Sequence, residues 1–300
     1  RGRVMRIDAV FSGGGVKAYA YMGVLESIDN HQLQLERTAG TSAGAIVSAL
    51  IAARYSYEEI EKLIYELDVK LFMDPPLITQ YLPLLKWPLL YFQMGIYKGD
   101  KLEEWLTEKL AAKNIRTFKD IKEGYLKVIA SDLSMGRIVV FPDDLMTYYG
   151  IHPNDFPVAK AVRMSAGFPF FFMPKKLPGK KGTKNIIVDG GLLSNFPLWL
   201  FGQKKHQLRP VLGIKLTEQD SEGNQEEKIT NAFNMFYALF HTMKKAHDMR
   251  YISKSEENNI LFIPVENILA TDLNISDEEK SHLAAVGKAR ADTFLARWPR

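Results

Sequence analysis

The stretch Ala39-Gly40-Thr41-Ser42-Ala43-Gly44 decides how this chain is read, because it sets a serine between two glycines at the junction of two unlike runs. Upstream, Leu33 to Thr38 has the make-up of a short strand. Downstream, Ala43 to Ala53 (AGAIVSALIAA) is small and apolar, with no glycine after Gly44 and no proline, and suits a buried helix. A serine at such a strand-to-helix bend presents its hydroxyl in a strained backbone conformation. Glycines two positions to either side are needed because side chains there would strike the adjoining strand and helix. Ser42 is therefore a candidate nucleophile, with Gly40, Ala43 and Gly44 as its support, and the rest of the chain has to supply its partners.

Composition fits serine chemistry and excludes several alternatives. The 300 residues are 46% hydrophobic and 25% charged, ordinary for a folded globular protein with a sizeable core. There is no cysteine, which removes disulfides, thiolate metal sites and a cysteine nucleophile. A net charge of +4 is too small to argue for nucleic acid, although it favours a negatively charged surface such as anionic lipid. The start, Arg1 to Asp8, is charged and has no apolar signal-peptide core; the longest apolar region, about Leu77 to Ile96, is broken by Gln80, Pro83, Lys86, Pro88 and Gln93. No membrane span is expected, and the reading is cytoplasmic, with peripheral lipid contact through lysines and apolar stretches.

Ahead of the serine, Ile7 to Phe11 reads as a strand, followed by Ser12-Gly13-Gly14-Gly15-Val16-Lys17-Ala18 and a helical run to about Asn30. Consecutive glycines let main-chain N–H groups converge, and the helix start adds positive partial charge, so the loop suits an anion. Three readings stay open here. The loop is an oxyanion hole for Ser42, or a tight turn, or a dinucleotide fingerprint in which Gly13-x-Gly15-x-x-Ala18 opens the helix and Glu36 holds a ribose.

Further along, Tyr57 to Leu67 and Asp100 to Lys113 read as helices, the latter with Asp100 as N-cap and Glu103 completing the capping pair. Between them, Leu71 to Tyr97 reads as a mobile cap or a lipid-facing surface as readily as packing against the sheet. Strands are expected at Tyr125 to Leu133, Ile138 to Phe141, Asn185 to Val188, Pro210 to Leu216 and Ile260 to Val265. Helices are expected at Pro157 to Ser165, Glu226 to Arg250 and, behind the capping box Ser276 to Glu279, Ser276 to Trp298. Strands alternating with helices give an α/β fold with a mostly parallel central sheet flanked by helices on both faces. Aromatics at Phe168 to Phe172 would line an acyl pocket or sit in the core, and the lysines from Lys175 to Lys184 form a basic loop.

A serine needs a base. None of the six histidines (His31, His152, His206, His241, His247, His282) has a glycine-flanked or strand-end setting, whereas Asp189 ends a strand and is followed by Gly190 and Gly191. A carboxylate held dry beside a serine has its pKa raised toward neutrality and can serve as the base itself.

Four blocks in this order, Gly13-Gly14-Gly15-Val16-Lys17-Ala18, Gly40-Thr41-Ser42-Ala43-Gly44, Ser165-Ala166-Gly167-Phe168-Pro169 and Asp189-Gly190-Gly191, make the chain resemble the patatin-like phospholipases over about Ile7 to Pro197. The resemblance implies a Ser-Asp dyad that cleaves fatty-acyl esters of phospholipids and other glycerolipids without cofactor or metal. By position Ser42 is then nucleophile, Asp189 base, and Gly13, Gly14 and Gly15 the oxyanion hole. The expected organisation is one domain over residues 1–300, with the motifs in about 7–197, the stretch 71–97 a cap or packed on the sheet, and 210–300 completing the fold. Two positions depart from the family pattern: Ala18, where the first block often has glycine, and Met164, where alanine usually precedes the serine of the third.

Overall fold

A computed structural model of the chain describes residues 4–67, 69–76, 86–202, 209–217, 229–251, 257–265 and 274–299. Its strands are β1 (Met5–Phe11), β2 (Leu33–Thr41), β3 (Gly95–Tyr97), β4 (Leu126–Asp132), β5 (Arg137–Phe141), β6 (Phe170–Phe172), β7 (Lys175–Pro178), β8 (Lys184–Asp189), β9 (Val211–Thr217) and β10 (Ile260–Pro264). Its helices are α1 (Ala20–Asn30), α2 (Ala43–Ala52), α3 (Tyr57–Tyr65), α4 (Lys86–Gln93), α5 (Asp100–Ala112), α6 (Asp144–Tyr149), α7 (Val158–Ser165), α8 (Trp199–Gly202), α9 (Ala232–Tyr251) and α10 (Asp277–Leu295).

Among the described residues the main sheet runs β10-β9-β1-β2-β4-β8-β7, with β5 also on β4. The strands from β10 to β4 are parallel to their neighbours, while β5, β7 and β8 join antiparallel. Both faces are covered. Ile7, Ala9 and Phe11 of β1 join a core with α1, α2 and α10, while Val10 turns the other way onto Phe196, Leu198 and Phe201. This is the alternation of a buried strand, and it bears out the expected α/β architecture.

The arrangement around β4 positions the site. β2 pairs with residues 126–129 of β4 and β8 with residues 130–132, while β5 spans 128–132. Since β5 overlaps both partners, it must occupy the opposite edge; β2 and β8 therefore share one edge, end to end. β2 runs parallel to β4 and β8 antiparallel, so their C-termini point at one another: Thr41 lies beside Ile129 and Asp189 beside the next residue, Ala130. Asp189 thus ends a strand as expected, but an antiparallel one.

Several local expectations are corrected. Asp100 does not cap α5. The N-cap is Gly99, at φ +68°, and the side chain of Asp74 accepts from the N–H groups of Gly99 (2.5 Å), Asp100 (2.9 Å) and Lys101 (3.3 Å). A carboxylate reaching across from a neighbouring loop satisfies these donors better than a side chain already inside the first turn. Asp100 is engaged instead by Lys175 at 2.9 Å, and Glu103 by the same lysine at 2.7 Å, so that member of the basic run is ion-paired rather than simply solvated. The capping box at Ser276 and Glu279 forms as read. Of the apolar stretch 71–97, residues 77–85 lie outside the described residues; Leu71, Tyr91 and Phe92 are exposed, and Phe72 is buried. Phe170–Phe172 forms a short strand paired parallel with Gly95–Tyr97. The helix expected from Glu226 starts at Ala232, residues 226–228 lying outside the described residues.

Candidate active site

The turn after β2 has the geometry its glycines require. Ser42 sits at φ 55°, ψ −124°, a conformation disfavoured for any residue with a Cβ, and caps α2. A Cβ on Gly40 would lie 2.3 Å from the carbonyl oxygen of Gly44, and one on Gly44 would lie 2.5 Å from the carbonyl oxygens of Phe11 and Ser12. The bend is therefore wedged between β1 and the start of α2, with no room for side chains at either glycine.

The hydroxyl of Ser42 donates to Asp189 Oδ2 at 2.7 Å. The carboxylate is fixed from behind: Oδ1 accepts from the N–H of Gly191 at 2.7 Å, and the main-chain N–H of Asp189 donates to Gly167 O at 3.0 Å. Asp189 is 3% exposed. Burial pushes its carboxyl from an ordinary 3.8 up to about 6, against the hydrogen bonds from Gly191 and Ser42 and the positive charges of Lys244 and Arg163. Ser165 stabilises the elbow from below. Its hydroxyl accepts the N–H of Ser42 (2.9 Å) and donates to Ile129 O (2.5 Å), so the strained residue is tied to the strand that also positions Asp189.

The glycine loop divides its work. Gly13 gives its N–H to Asn195 O at 3.0 Å and accepts Asn195 Nδ2 at 3.3 Å, which anchors the loop. Gly14 and Gly15 face the cavity beside Ser42, and no acceptor among the described residues takes either N–H. Gly15 has φ +56°, open to glycine at little cost. Lys17 is buried in the following turn and Ala18 faces the cavity. Gly190 packs on β4, where a Cβ would lie 2.3 Å from Ile129 O. Glu36 lies within β2, well short of its C-terminal end, ion-paired with Arg6 at 3.4 Å and accepting the hydroxyl of Tyr125. It is thus engaged elsewhere and does not reach the glycine loop as a ribose ligand would.

Ser42 and Asp189 lie on a cavity of about 200 Å³. Its wall is apolar: Ile46 and Val47 from α2, Ile64 from α3, Phe72, Leu102 from α5, and Phe168, Phe171 and Phe172. Phe170 is the exception among the aromatics, part-exposed at φ +64° with its ring against Phe236, centroids 4.5 Å apart. α9 closes another side with Tyr237, Phe240, His241 and Lys244.

Several of these residues carry no signal in the linear sequence. His241 looks like one more helix residue, yet it lines the cavity; the hydroxyl of Ser42 nonetheless bonds to Asp189 and not to a histidine. Of the others, His31 contacts Ser27 O, His152 accepts from the N–H of Asn154, His282 is exposed, and the side chains of His206 and His247 lie outside the described residues. Arg163 is fully buried. Its guanidinium donates to the carbonyls of Gly99 (2.8 Å), Lys98 (2.7 Å) and Met173 (3.1 Å) and lies over the Phe172 ring, tying α7, which carries Ser165, to the start of α5. Burial draws its pKa down to about 10.

An α/β sheet carrying a glycine-loop strand, a serine elbow and a strand-end aspartate defines a class of lipid acyl hydrolases, and the comparisons agree. The model of the patatin-like phospholipase family matches residues 9–201, and the chain belongs to that family. It is 47% identical to the protein YqhO of Bacillus subtilis (strain 168), over 98% of this chain and 99% of that one. A cUMP-AMP-activated phospholipase of Escherichia coli is 25% identical over 65% of this chain and 56% of its own length. Among solved structures, VipD of Legionella pneumophila superposes with a TM-score of 0.56 at 18% identity, over 97% of this chain and 66% of VipD, a likeness of fold. No helix of the described residues is long and apolar enough to cross a membrane.

Proposed function

We propose that this chain hydrolyses fatty-acyl esters of glycerolipids, with Ser42 as nucleophile and Asp189 as its base. One observation carries the reading: the 2.7 Å hydrogen bond from Ser42 Oγ to a buried carboxylate on the wall of an apolar cavity. Membership of the patatin-like phospholipase family supports it. Asp189 Oδ2 takes the hydroxyl proton as Oγ adds to the ester carbonyl carbon. The N–H groups of Gly14 and Gly15 receive the oxyanion, a role worth about 3 kcal/mol per donor in such sites. The tetrahedral adduct collapses by breaking the bond to the glycerol oxygen, which takes the proton from Asp189. Water then repeats the sequence on the acyl-serine: Asp189 takes its proton, its oxygen adds to the carbonyl carbon, and the fatty acid leaves as Ser42 recovers a proton.

The apolar wall from α2, α3 and α5 suits the acyl chain. Contact with a lipid surface is supported by exposed Leu71, Tyr91 and Phe92 and by Met235, Leu239 and Met243, an apolar stripe on the outer face of α9. Two substitutions test the reading. Ser42→Ala and Asp189→Asn should each lower hydrolysis of a p-nitrophenyl ester and of a labelled phospholipid by about three orders of magnitude or more, while His241→Ala still turns over the p-nitrophenyl ester. A fluorophosphonate should label the wild type and spare Ser42→Ala. Indispensable His241 with dispensable Asp189 would reject the dyad, and lipid association without labelling would make the chain a lipid-binding protein.

A further inference from the structure

The turn that follows Asp189 carries a second polar side chain into the site. Asn195 is 3% exposed and stands on the cavity wall with Ser42 and Asp189. Its segment is held on both sides. The N–H of Ser194 donates to Gly190 O at 2.8 Å, and Ser194 O accepts the hydroxyl of Thr41, the residue before the nucleophile, at 2.9 Å. Phe196 and Leu198, just beyond, are buried against β1. The side chain of Asn195 lies flat on Gly13: a Cβ there would sit 2.5 Å from Asn195 Oδ1, and a Cβ on Gly191 would sit 3.1 Å from the same oxygen. It thus fills the gap between the glycine loop and the glycine whose N–H holds Asp189 Oδ1. Among the described residues, both hydrogen bonds found on Gly13 run to Asn195, from Gly13 N–H to Asn195 O at 3.0 Å and from Asn195 Nδ2 to Gly13 O at 3.3 Å. The rest of the loop is tied elsewhere, the N–H of Ser12 to Ile214 O (3.0 Å) and Gly14 O to the N–H of Lys17 (3.2 Å).

The bond to Gly13 O bears on the chemistry. That carbonyl and the N–H of Gly14 belong to one peptide unit, which is planar and trans, so the two groups point in opposite directions. Gripping the carbonyl on one side therefore aims the N–H on the other. With glycine at both ends of the unit, no side chain restricts its rotation, and an outside partner has to set it. The N–H of Gly14 is one of the two oxyanion donors in the reading above, and no acceptor among the described residues takes it. We infer that Asn195 is the positioning residue of the oxyanion hole: its carboxamide fixes the Gly13–Gly14 peptide so that the Gly14 N–H meets the oxyanion, and does so from the same turn that carries the base. This inference rests on the hydrolase reading and deepens it. Asn195 acts through Gly14 and not on the ester itself. The oxyanion exists only in the tetrahedral adduct, so the contribution of Asn195 is expressed in turnover and not in binding of the unreacted ester. A donated hydrogen bond at the carbonyl also polarises the peptide unit and strengthens its N–H as a donor.

The test uses Asn195→Ala and Asn195→Leu in the full chain; leucine keeps the shape and lacks the donor, so it answers for an alanine variant that fails to fold. Competent sites are counted with a fluorophosphonate, and rates are expressed per site. In both variants kcat on a p-nitrophenyl ester should fall about tenfold to a hundredfold while KM stays within about twofold. An alkyl trifluoromethyl ketone then probes the hole directly. Ser42 Oγ adds to its carbonyl carbon, Asp189 takes the hydroxyl proton, and the carbonyl oxygen becomes the oxyanion. Affinity for the ketone should weaken by the same factor as kcat/KM, whereas the corresponding trifluoromethyl carbinol, which forms no adduct, should bind as it does to wild type. Ketone and carbinol weakened alike, or kcat per site left intact, would reduce Asn195 to a structural residue and overturn the inference. A double-mutant cycle with Gly13→Ala, whose Cβ would strike Asn195 Oδ1, traces the route. The loss from Gly13→Ala should be several-fold smaller in the Asn195→Ala background than in wild type, and fully multiplicative losses would overturn the contact as the path of the effect. The underlying reading fails separately: wild type would then escape fluorophosphonate labelling and bind the ketone no more tightly than the carbinol.

Discussion

Replacing Asp189 by asparagine should abolish activity and, above pH 6, stabilise the fold. The carboxyl is buried, and its pKa is raised from 3.8 to about 6 chiefly by loss of solvent. For an acid whose pKa is raised on folding, the folded state holds its proton over a range where the unfolded chain has released it. The native state is therefore penalised as pH rises through that range. The penalty is absent below about pH 4, grows between 3.8 and about 6, and is fully present above. At about 1.4 kcal/mol per pH unit, the distance from 3.8 to about 6 corresponds to about 3 kcal/mol. Asparagine is isosteric, its Oδ1 can still accept from Gly191, and it has no charge to bury. The difference in unfolding free energy between Asp189→Asn and wild type should thus rise by about 3 kcal/mol between pH 4 and pH 7, whatever its value at pH 4. Urea denaturation of both proteins at half-unit steps reads it directly, and titrations common to both cancel in the difference. A flat difference across that range would refute the desolvation argument, as would one that falls with pH. Stability raised by the same substitution that destroys turnover is what a group held against its solvation preference for chemistry should show.

Three further outcomes follow from the same geometry. Asp189 must be ionised to accept the serine proton, so log kcat/KM on a neutral ester should climb with unit slope below about pH 6 and level off above it; a profile flat from pH 5 to 8 would count against Asp189 as base. Gly287→Val should cost about 3 kcal/mol or more in urea unfolding, because any Cβ there would lie 2.0 Å from Ala20 O and force α1 and α10 apart. Asp74→Ala should cost about 1–2 kcal/mol by the same measurement, since it removes the acceptor for three N–H groups at the start of α5, whereas Asp100→Ala should cost less than that.

What could be read from the sequence was whatever is enforced locally. Gly40 and Gly44 mark the elbow because steric exclusion acts within a few residues, and Ser276 with Glu279 marks a helix start because its capping box closes on itself. Both signals survive in one dimension. The cap of α5 does not, since Asp74 precedes the helix by a stretch whose path no local rule gives, and Asp100 offers an equally good local pattern. Strands as short as Gly95–Tyr97 and Phe170–Phe172 have too few residues for a periodicity to show. The polar side of the cavity was hidden for a related reason. A helix reveals its own faces, but which face meets a cavity depends on where the helix docks, so His241 and Lys244 are ordinary in the sequence and distinctive only in the fold. The glycine loop was legible as an N–H cradle, yet the assignment of Gly13 to Asn195 requires the return of the chain some 180 residues later.

The end-to-end meeting of β2 and β8 explains how two residues so far apart in the chain hold a 2.7 Å contact. Each is the terminus of a strand registered on the same edge of β4, Thr41 beside Ile129 and Asp189 beside Ala130. A slip of β8 by one residue would move the carboxylate about 3.3 Å along the edge and turn it to the other face of the sheet, so the register is a yes-or-no control on the pair. That register is locked at both ends. Gly190 has no room for a Cβ against Ile129 O, and Asn185, at the start of β8, donates to the buried Asp132 Oδ2 at 2.7 Å, a carboxylate also bonded by Tyr149 at 2.8 Å. Where a loop-borne histidine needs a further residue to aim it, a strand-borne aspartate is aimed by the sheet itself. In the proposed dyad the ladder of β4 thus takes the place of the third member of a triad, and the strain at Ser42 is borne by the same ladder through Ser165 and Ile129 O.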